Sequence, residues 1–328
     1  MSAAPRALWT RARAKLNLGL RVVGRRPDGY HLLDTVFHEL ELHDDVAVSR
    51  VASGVRVEVT ADEARLLVPA GEGNLVVQAL RRLLASVGGA QGFHVCLHKR
   101  IPNGGGLGGG SSDAAAALRI GNELLGRPRS ERELAELAVG LGADVPFFLQ
   151  GGTRRGLGVG DELTVAAPVR CSFVLLLPPY GCETARVYKL HAALAEVEKV
   201  DTVRGNCVDP GAVPEMIRGL CNDLESAAEQ LVPALGELRR GVGATGYPHV
   251  RMSGSGSTLF VGWSDEAAAR RCAENLKRYL QDGAHGSVEV LVTQSARREA
   301  TAGDAAGSPA VDPLFAELPA HLRARPAP

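Results

Sequence analysis

Residues 102–118 read PNGGGLGGGSSDAAAAL, six glycines in seven positions followed at once by an alanine-rich stretch. Glycine costs backbone entropy on folding, so such density belongs where the chain needs unusual dihedrals or close approach to another group. A helix beginning here would add unpaired N–H groups and the positive end of its dipole, which together favour an anion. Phosphate is the expected ligand. A Walker A loop needs a lysine after its last glycine, and none follows. Gly104, Gly106 and Gly109 do fit G-x-G-x-x-G, with Glu123 at a tolerable distance for a ribose contact. That fingerprint requires a tight strand-to-helix turn. Here Arg100, Ile101, Pro102 and Asn103 intervene, and no βαβ alternation is read around them. A plain flexible linker is disfavoured because patterned segments flank the run on both sides.

Bulk properties narrow the class. The 328 residues suffice for two domains with full cores, and 45% hydrophobic with 23% charged residues is an ordinary globular composition. Lys+Arg and Asp+Glu both total 37, so no global field favours nucleic acid or an anionic membrane. Only 4% aromatic residues also disfavours an RNA-binding module. The six cysteines (96, 171, 182, 207, 221 and 272) form no C-x-x-C pair and suggest neither zinc site nor disulfide framework. Reduced thiols and a cytoplasmic location are expected. The strongest apolar run, around SFVLLLPP, is too short to span a bilayer. The basic N-terminus lacks the apolar region of a secretory signal.

The elements that must hold the glycine run follow from periodicity. Residues 6–24 read as extended chain; DDVAVSRV (44–51) and VRVEVTA (55–61) alternate as strands. Asn74 precedes a helix over 75–89, FHVCLHK (93–99) is a strand, and 111–126 is the helix behind the glycines. Ser130 and Glu133 form a capping box opening the next helix. From about residue 165 the order becomes β-α-α-β-β-α-β: strand 172–178, helices 183–199 and 222–240, short strands 249–252 and 258–263, helix 264–280 and strand 287–295. That order is close to a ferredoxin-like split βαβ with one extra helix. Residues 299–328, rich in Ala, Pro and Gly, are expected to be a poorly ordered tail.

P-x-G-G-G-L-G-G-G-S-S-D-A-A resembles the phosphate-binding motif of the small-metabolite kinases grouped with galactokinase, homoserine kinase and mevalonate kinase. AKLNLGL (14–20) with RRPDGYHLLDTVF (25–37) is similar to their N-terminal substrate motif, and RMSGSGSTLF (251–260) to their third, glycine-rich motif. DGYH and GADVPFFL (142–149) narrow the resemblance to a branch that phosphorylates a cytidine diphosphate-linked methylerythritol in the non-mevalonate route to isoprenoids. The matching motifs span roughly residues 7–295. The resemblance implies a two-domain α+β fold: an N-terminal ribosomal protein S5 domain 2-like unit (1–165) that binds ATP and substrate, and a C-terminal ferredoxin-like unit (166–298). The tail would be 299–328.

The resemblance also implies roles. Pro102, Asn103, Gly104, Gly105, Gly106, Leu107, Gly108, Gly109, Gly110, Ser111 and Ser112 would hold the ATP phosphates through backbone N–H groups and two hydroxyls, with Mg2+ on the phosphates. Its protein ligands are not legible, and Asp113 reads as a helix-start residue rather than a ligand. Asp144, flanked by apolar residues, is expected to be the general base for a 2-hydroxyl nucleophile, with Lys15 orienting it and stabilising charge. Tyr30 would stack on cytosine, His31 would hydrogen-bond the base edge, and Tyr188 would lie on the other face, or else be a packed helix aromatic. Asn17 would hydrogen-bond the polar chain of the substrate. Gly254 and Gly256 would let the second domain approach the phosphates. A monomer or homodimer acting on a small molecule, with no nucleic acid or membrane partner, is expected. The competing classes are a sister kinase for another alcohol, which DGYH argues against, and a catalytically silent nucleotide-binding regulator. Pure binding would need neither Lys15 nor Asp144.

Overall fold

The computed structural model describes residues 7–63, 66–168, 170–198, 219–281, 285, 287–296 and 314–322. Its first half is built on two long strands, β1 (Ala7–Arg25) and β2 (His31–Val51), paired antiparallel along their whole length. Residues 12–20 of β1 are buried without a break, because both faces of this strand are covered. Register shifts fall between Arg13 and Lys15 and between Asn17 and Gly19. Such bulges bend a strand and re-aim its side chains, and they bracket the Lys15–Asn17 segment.

On the other edge of β2 lie β4 (Gly92–Lys99), paired with its C-terminal half, and β5 (Thr153–Leu157), paired with residues 35–38. β6 (Glu162–Val165) extends β5, and β3 (Gly54–Ala61) lies parallel to β4 at the far edge. β3, helix α1 (Leu75–Val87) and β4 thus form one βαβ crossover, where the sequence reading had none. The reading missed it because β3 alternates like an antiparallel strand, being covered on one face only. The glycine run follows that unit rather than sitting within it. Three helices back the sheet: α2 (Gly109–Leu124), α3 (Glu131–Val139) and α4 (Val145–Gln150). Ala114, Ala115, Ala116 and Ala117 are all buried, and their small side chains let α2 lie close against α1 and β1. The capping box of α3 is formed as expected.

The second half folds on a four-stranded antiparallel sheet ordered β10-β7-β9-β8, where β7 is Ser172–Leu177, β8 Arg251–Met252, β9 Leu259–Trp263 and β10 Glu289–Gln294. Counting its strands in chain order gives 4-1-3-2, the ferredoxin-like arrangement. Helices α5 (Thr184–Glu198), α6 (Glu225–Leu231), α7 (Pro233–Ala244) and α8 (Glu266–Gln281) accompany it. The single helix expected over 222–240 is two. Val232 leaves the helical region at φ −131°, ψ 80°, because the proline ring at 233 disfavours helical geometry before it.

A core cluster joins the two halves: Leu16, Leu18, Val36 and Leu40 of β1 and β2 pack against Phe173, Leu175 and Phe260 of the second sheet. The expected loose tail also needs correction. Phe315 bridges to Trp9 across the backbone with ring centroids 4.9 Å apart, and Leu322 is buried. One apolar anchor at each end of this short segment offsets its weak pattern. Residues 299–313 and 323–328 lie outside the described residues. Among the described residues, no helix is long and apolar enough to cross a membrane.

His38 of β2 is fully enclosed at the join, with Nδ1 2.9 Å from Thr153 Oγ1 and Nε2 2.8 Å from Ser295 Oγ. Burial pushes its pKa down from 6.5 to about 4. The folded state therefore resists a proton that the unfolded chain accepts. His38 leaves stability intact above pH 6.5 and erodes it as pH falls towards 4, by about 3 kcal/mol in all. Urea unfolding from pH 7 to pH 4 should show that loss in the wild type relative to His38→Gln. Parallel pH profiles for the two proteins would rule it out.

Candidate active site

The glycine run leaves β4 and turns back under the second domain. Gly106 (φ 74°) is the point of closest approach: a Cβ there would lie 2.2 Å from the carbonyl oxygen of Ser253. Ser253 Oγ donates to Gly106 O at 2.9 Å, and Thr258 N donates to Gly105 O at 3.2 Å. The SGSGS turn and the glycine loop thus meet at a distance that no Cβ at Gly106 would permit. Gly108 (φ 73°) caps α2 in the left-handed region, against the ring of Phe148. The first-turn amides of α2 have no intrahelical acceptor, as at any helix start, and point an anion site at the loop.

Below the loop, a buried cluster anchors its base. Lys99 Nζ contacts Asp113 Oδ2 at 2.7 Å and Asp44 Oδ2 at 2.5 Å, all three being essentially inaccessible to solvent. Asp44 also accepts from the backbone N–H groups of Arg100 and Ile101. Two carboxylates thus share one buried ammonium. Burial is the largest cause of a raised Asp113 pKa; Asp44 adds to it and Lys99 opposes it. Burial disfavours the Lys99 ammonium, but the two carboxylates outweigh that and raise its pKa. Asp113 is therefore neither a mere helix-start residue nor exposed to a phosphate-bound metal. It ties α2 to β4.

Lys15 and Asp144 meet above this anchor. Lys15 Nζ is 3.4 Å from Asp144 Oδ2, with the lysine side chain 4% and the aspartate 31% exposed. Asp144 occupies the N-cap position of α4 but makes no capping hydrogen bond, so its carboxylate is not spent on the helix. Lys15 also donates to Asn17 Oδ1, while Asn17 Nδ2 donates to Thr35 Oγ1 at 2.8 Å and Thr35 Oγ1 to Gly19 O at 2.7 Å. Both polar atoms of Asn17 are thereby engaged. Asn17 orients Lys15 while still lining the cavity, where its amide keeps a second N–H.

A cavity of about 910 Å³ opens between the two halves, lined by Lys15, Asn17, Tyr30, His31, Asp144 and Tyr188 among others. From the loop and helix start, Gly104, Gly106 and Ser111 reach it; Gly254 and Gly256 reach it from the SGSGS turn. Leu107 belongs to the core cluster between the sheets, and Gly105 and Gly109 are buried. Gly110 is exposed at the helix start, and Pro102 and Asn103 lie at the loop's entry, where Asn103 Nδ2 donates to Leu66 O. Ser112, expected at the phosphates, is buried on the far side of α2 near Arg13 and Phe148. Successive helix residues point about 100° apart, so Ser111 and Ser112 cannot serve one ligand equally.

At the other end of the cavity, the β1–β2 turn presents Tyr30, 65% exposed, and His31. His31 Nε2 is sheltered from solvent and has no hydrogen-bond partner among the described residues. Burial, then the charges of Arg25 and His191, lower its pKa. A neutral imidazole results, with one donor and one acceptor nitrogen. Tyr188 stacks on His31 at 5.0 Å between centroids, too close for a base to enter between them. Tyr188 thus braces His31 and lines the same cavity as Tyr30; burial and the Asp144 charge raise its pKa. Sequence reasoning missed Asn222, whose Nδ2 donates to Met252 O and Gly254 O and so holds the SGSGS turn. It also missed Thr184, hydrogen-bonded to Ser255, and the cations Arg25 and Lys189 on the cavity wall. Arg25 opens the RRPDGYHLLDTVF motif and Lys189 lies beside Tyr188, so both offered a signal.

This geometry finds its counterpart among known proteins. Residues 74–152 match the family described as GHMP kinases N terminal domain. A 4-diphosphocytidyl-2-C-methyl-D-erythritol kinase of Geobacter sulfurreducens is 39% identical over 272 residues, covering 82% of this chain and 95% of that protein. The enzyme of the same name from Pseudarthrobacter chlorophenolicus is 37% identical, covering 84% of this chain and 90% of its own. A crystal structure of 4-(cytidine 5'-diphospho)-2C-methyl-D-erythritol kinase superposes with a TM-score of 0.67 at 35% identity, covering 88% of this chain and all of that one. With the Lys15–Asp144 pair beside a glycine loop and relatives of this identity along most of its length, the chain belongs to the 4-diphosphocytidyl-2-C-methyl-D-erythritol kinase family of GHMP kinases.

Proposed function

We propose that the cleft transfers the γ-phosphoryl group of ATP to the 2-hydroxyl of 4-diphosphocytidyl-2-C-methyl-D-erythritol, with residues 1–165 and 166–298 acting as two domains on either side. The observation that carries this reading is the Lys15–Asp144 pair, 3.4 Å apart and opening on the same cavity as Gly104, Gly106 and Ser111. Asp144 takes the proton of the 2-hydroxyl as its oxygen bonds to the γ-phosphorus. The bond from that phosphorus to the β–γ bridging oxygen breaks, and ADP leaves. Lys15, held by Asn17, aims the Asp144 carboxylate and stabilises charge on the attacking oxygen. Phosphoryl transfer through a loose transition state asks mainly for such positioning and charge stabilisation.

Mg2+ fits this wall. Ser111 Oγ is a hard oxygen donor on the cavity wall, and the wall is no closed protein cage. Mg2+ commonly takes only one or two carboxylates besides phosphate oxygens. Bound there, it would neutralise the phosphate oxygens. Tyr30 stacks on the cytosine, and the neutral His31, braced by Tyr188, reads the base edge with its sheltered Nε2. The reaction is assigned to the cytoplasm, where ATP and the reduced cysteines expected from sequence are at home.

ADP release with ATP, Mg2+ and this substrate tests the assignment. Asp144→Asn should lower kcat by about 10²–10⁴-fold, the usual worth of a positioned base, with its thermal midpoint close to wild type. Full turnover in that variant would remove Asp144 from the chemistry. Tyr30 is exposed, so Tyr30→Ala should leave stability unchanged. It should raise KM for the cytidine substrate by the roughly 1–3 kcal/mol of a lost stack and leave KM for ATP alone. Equal rises for both substrates would contradict a base-stacking role.

A further inference from the structure

On the outward face of the N-terminal sheet, three chemically unlike side chains converge outside the catalytic cavity. The parallel register pairs Glu58 of β3 with Cys96 of β4, and His94 lies two residues before Cys96 on the same face. One ligating atom of each (a Glu58 carboxylate oxygen, a His94 ring nitrogen, the Cys96 sulfur) lies within 4.8 Å of the other two. Their placement is set by the backbone ladder, because Val57, Phe93, Val95 and Leu97 point the other way into the core. His94 Nε2 lies 3.1 Å from Glu58 Oε1, yet it is shielded from solvent and makes no hydrogen bond of good angle.

We propose that Glu58, His94 and Cys96 form a site for a borderline-soft divalent transition metal of the Zn2+ type, with a fourth position left to water. Sulfur, imidazole and carboxylate are the donors such ions take, and three protein ligands with one open position is a common coordination. Mg2+, which prefers octahedral oxygen, does not match this set. The site is therefore separate in chemistry and place from the metal of phosphoryl transfer, since none of its three residues lines the cleft.

Co2+ is the probe for the full-length reduced protein. One equivalent should produce a near-ultraviolet thiolate-to-metal charge-transfer band, displaced by Zn2+ and untouched by a large excess of Mg2+. Cys96→Ser, with folding checked by retained kinase turnover, should lose the band. His94→Gln should keep it but weaken Co2+ binding by at least about tenfold, the size of effect that even an outer partner's loss produces. The proposal is overturned by the absence of any band, by a band that survives Cys96→Ser, or by unchanged affinity in His94→Gln. In those cases Glu58 and His94 are a surface ion pair beside an idle thiol.

Discussion

The close approach of two glycine turns is the constraint on which this molecule rests. Gly106 and the Ser253 carbonyl come so near that no Cβ can stand between them. That contact fixes where the second domain sits over the first. It also sets the depth of the cleft and the position of the helix start that favours anions. Everything around it serves to hold the two backbones still. Lys99, Asp44 and Asp113 pin the root of the loop to β4 and α2, and Asn222 pins the SGSGS turn. The shared cluster of Leu16, Leu18, Phe173 and Phe260 carries the load behind them. A buried ion cluster is costly, and its presence under a phosphate loop fits a site where rigidity is worth that cost.

The reacting groups are then supplied by residues far apart in the chain. Lys15 comes from a bulged stretch of β1 and Asp144 from the start of a six-residue helix. Their meeting depends on α4 packing against α2, where Phe147 and Phe148 are buried. The apolar residues flanking Asp144 are thus the means of its placement, and the carboxylate is the one polar group they deliver to the cavity. At the far end, the β1–β2 turn gives Tyr30 and His31 a reach the core strands lack. One long hairpin therefore links the proposed base-binding end to the chemistry.

Much of this was legible in the sequence, for reasons that differ by element. The glycine run declared an anion site because six glycines before a helix have few other uses. The ferredoxin-like half followed from clean alternation and amphipathic helices. The break at Val232 was missed although Pro233 was in view; the apolar period carries through 222–240 and hid it. Whether Ser111 or Ser112 faces the cleft depends on the helix phase, which only the packing of α2 fixes. That Asn17 holds Lys15, two residues away on β1, and bonds Thr35 across on β2 shows only once the strands are paired. The order of 314–322 rests on a Trp9–Phe315 contact spanning nearly the whole chain, beyond the reach of any local pattern.

The central claim is that Asp144 faces the hydroxyl to be phosphorylated. A structure of the ternary complex with a non-hydrolysable ATP analogue and 4-diphosphocytidyl-2-C-methyl-D-erythritol addresses it directly. The account predicts the 2-hydroxyl oxygen within about 2.6–3.2 Å of an Asp144 carboxylate oxygen, with the γ-phosphate against the first turn of α2. A 2-hydroxyl beyond direct or single-water reach of Asp144, or a γ-phosphate away from that helix start, would contradict it.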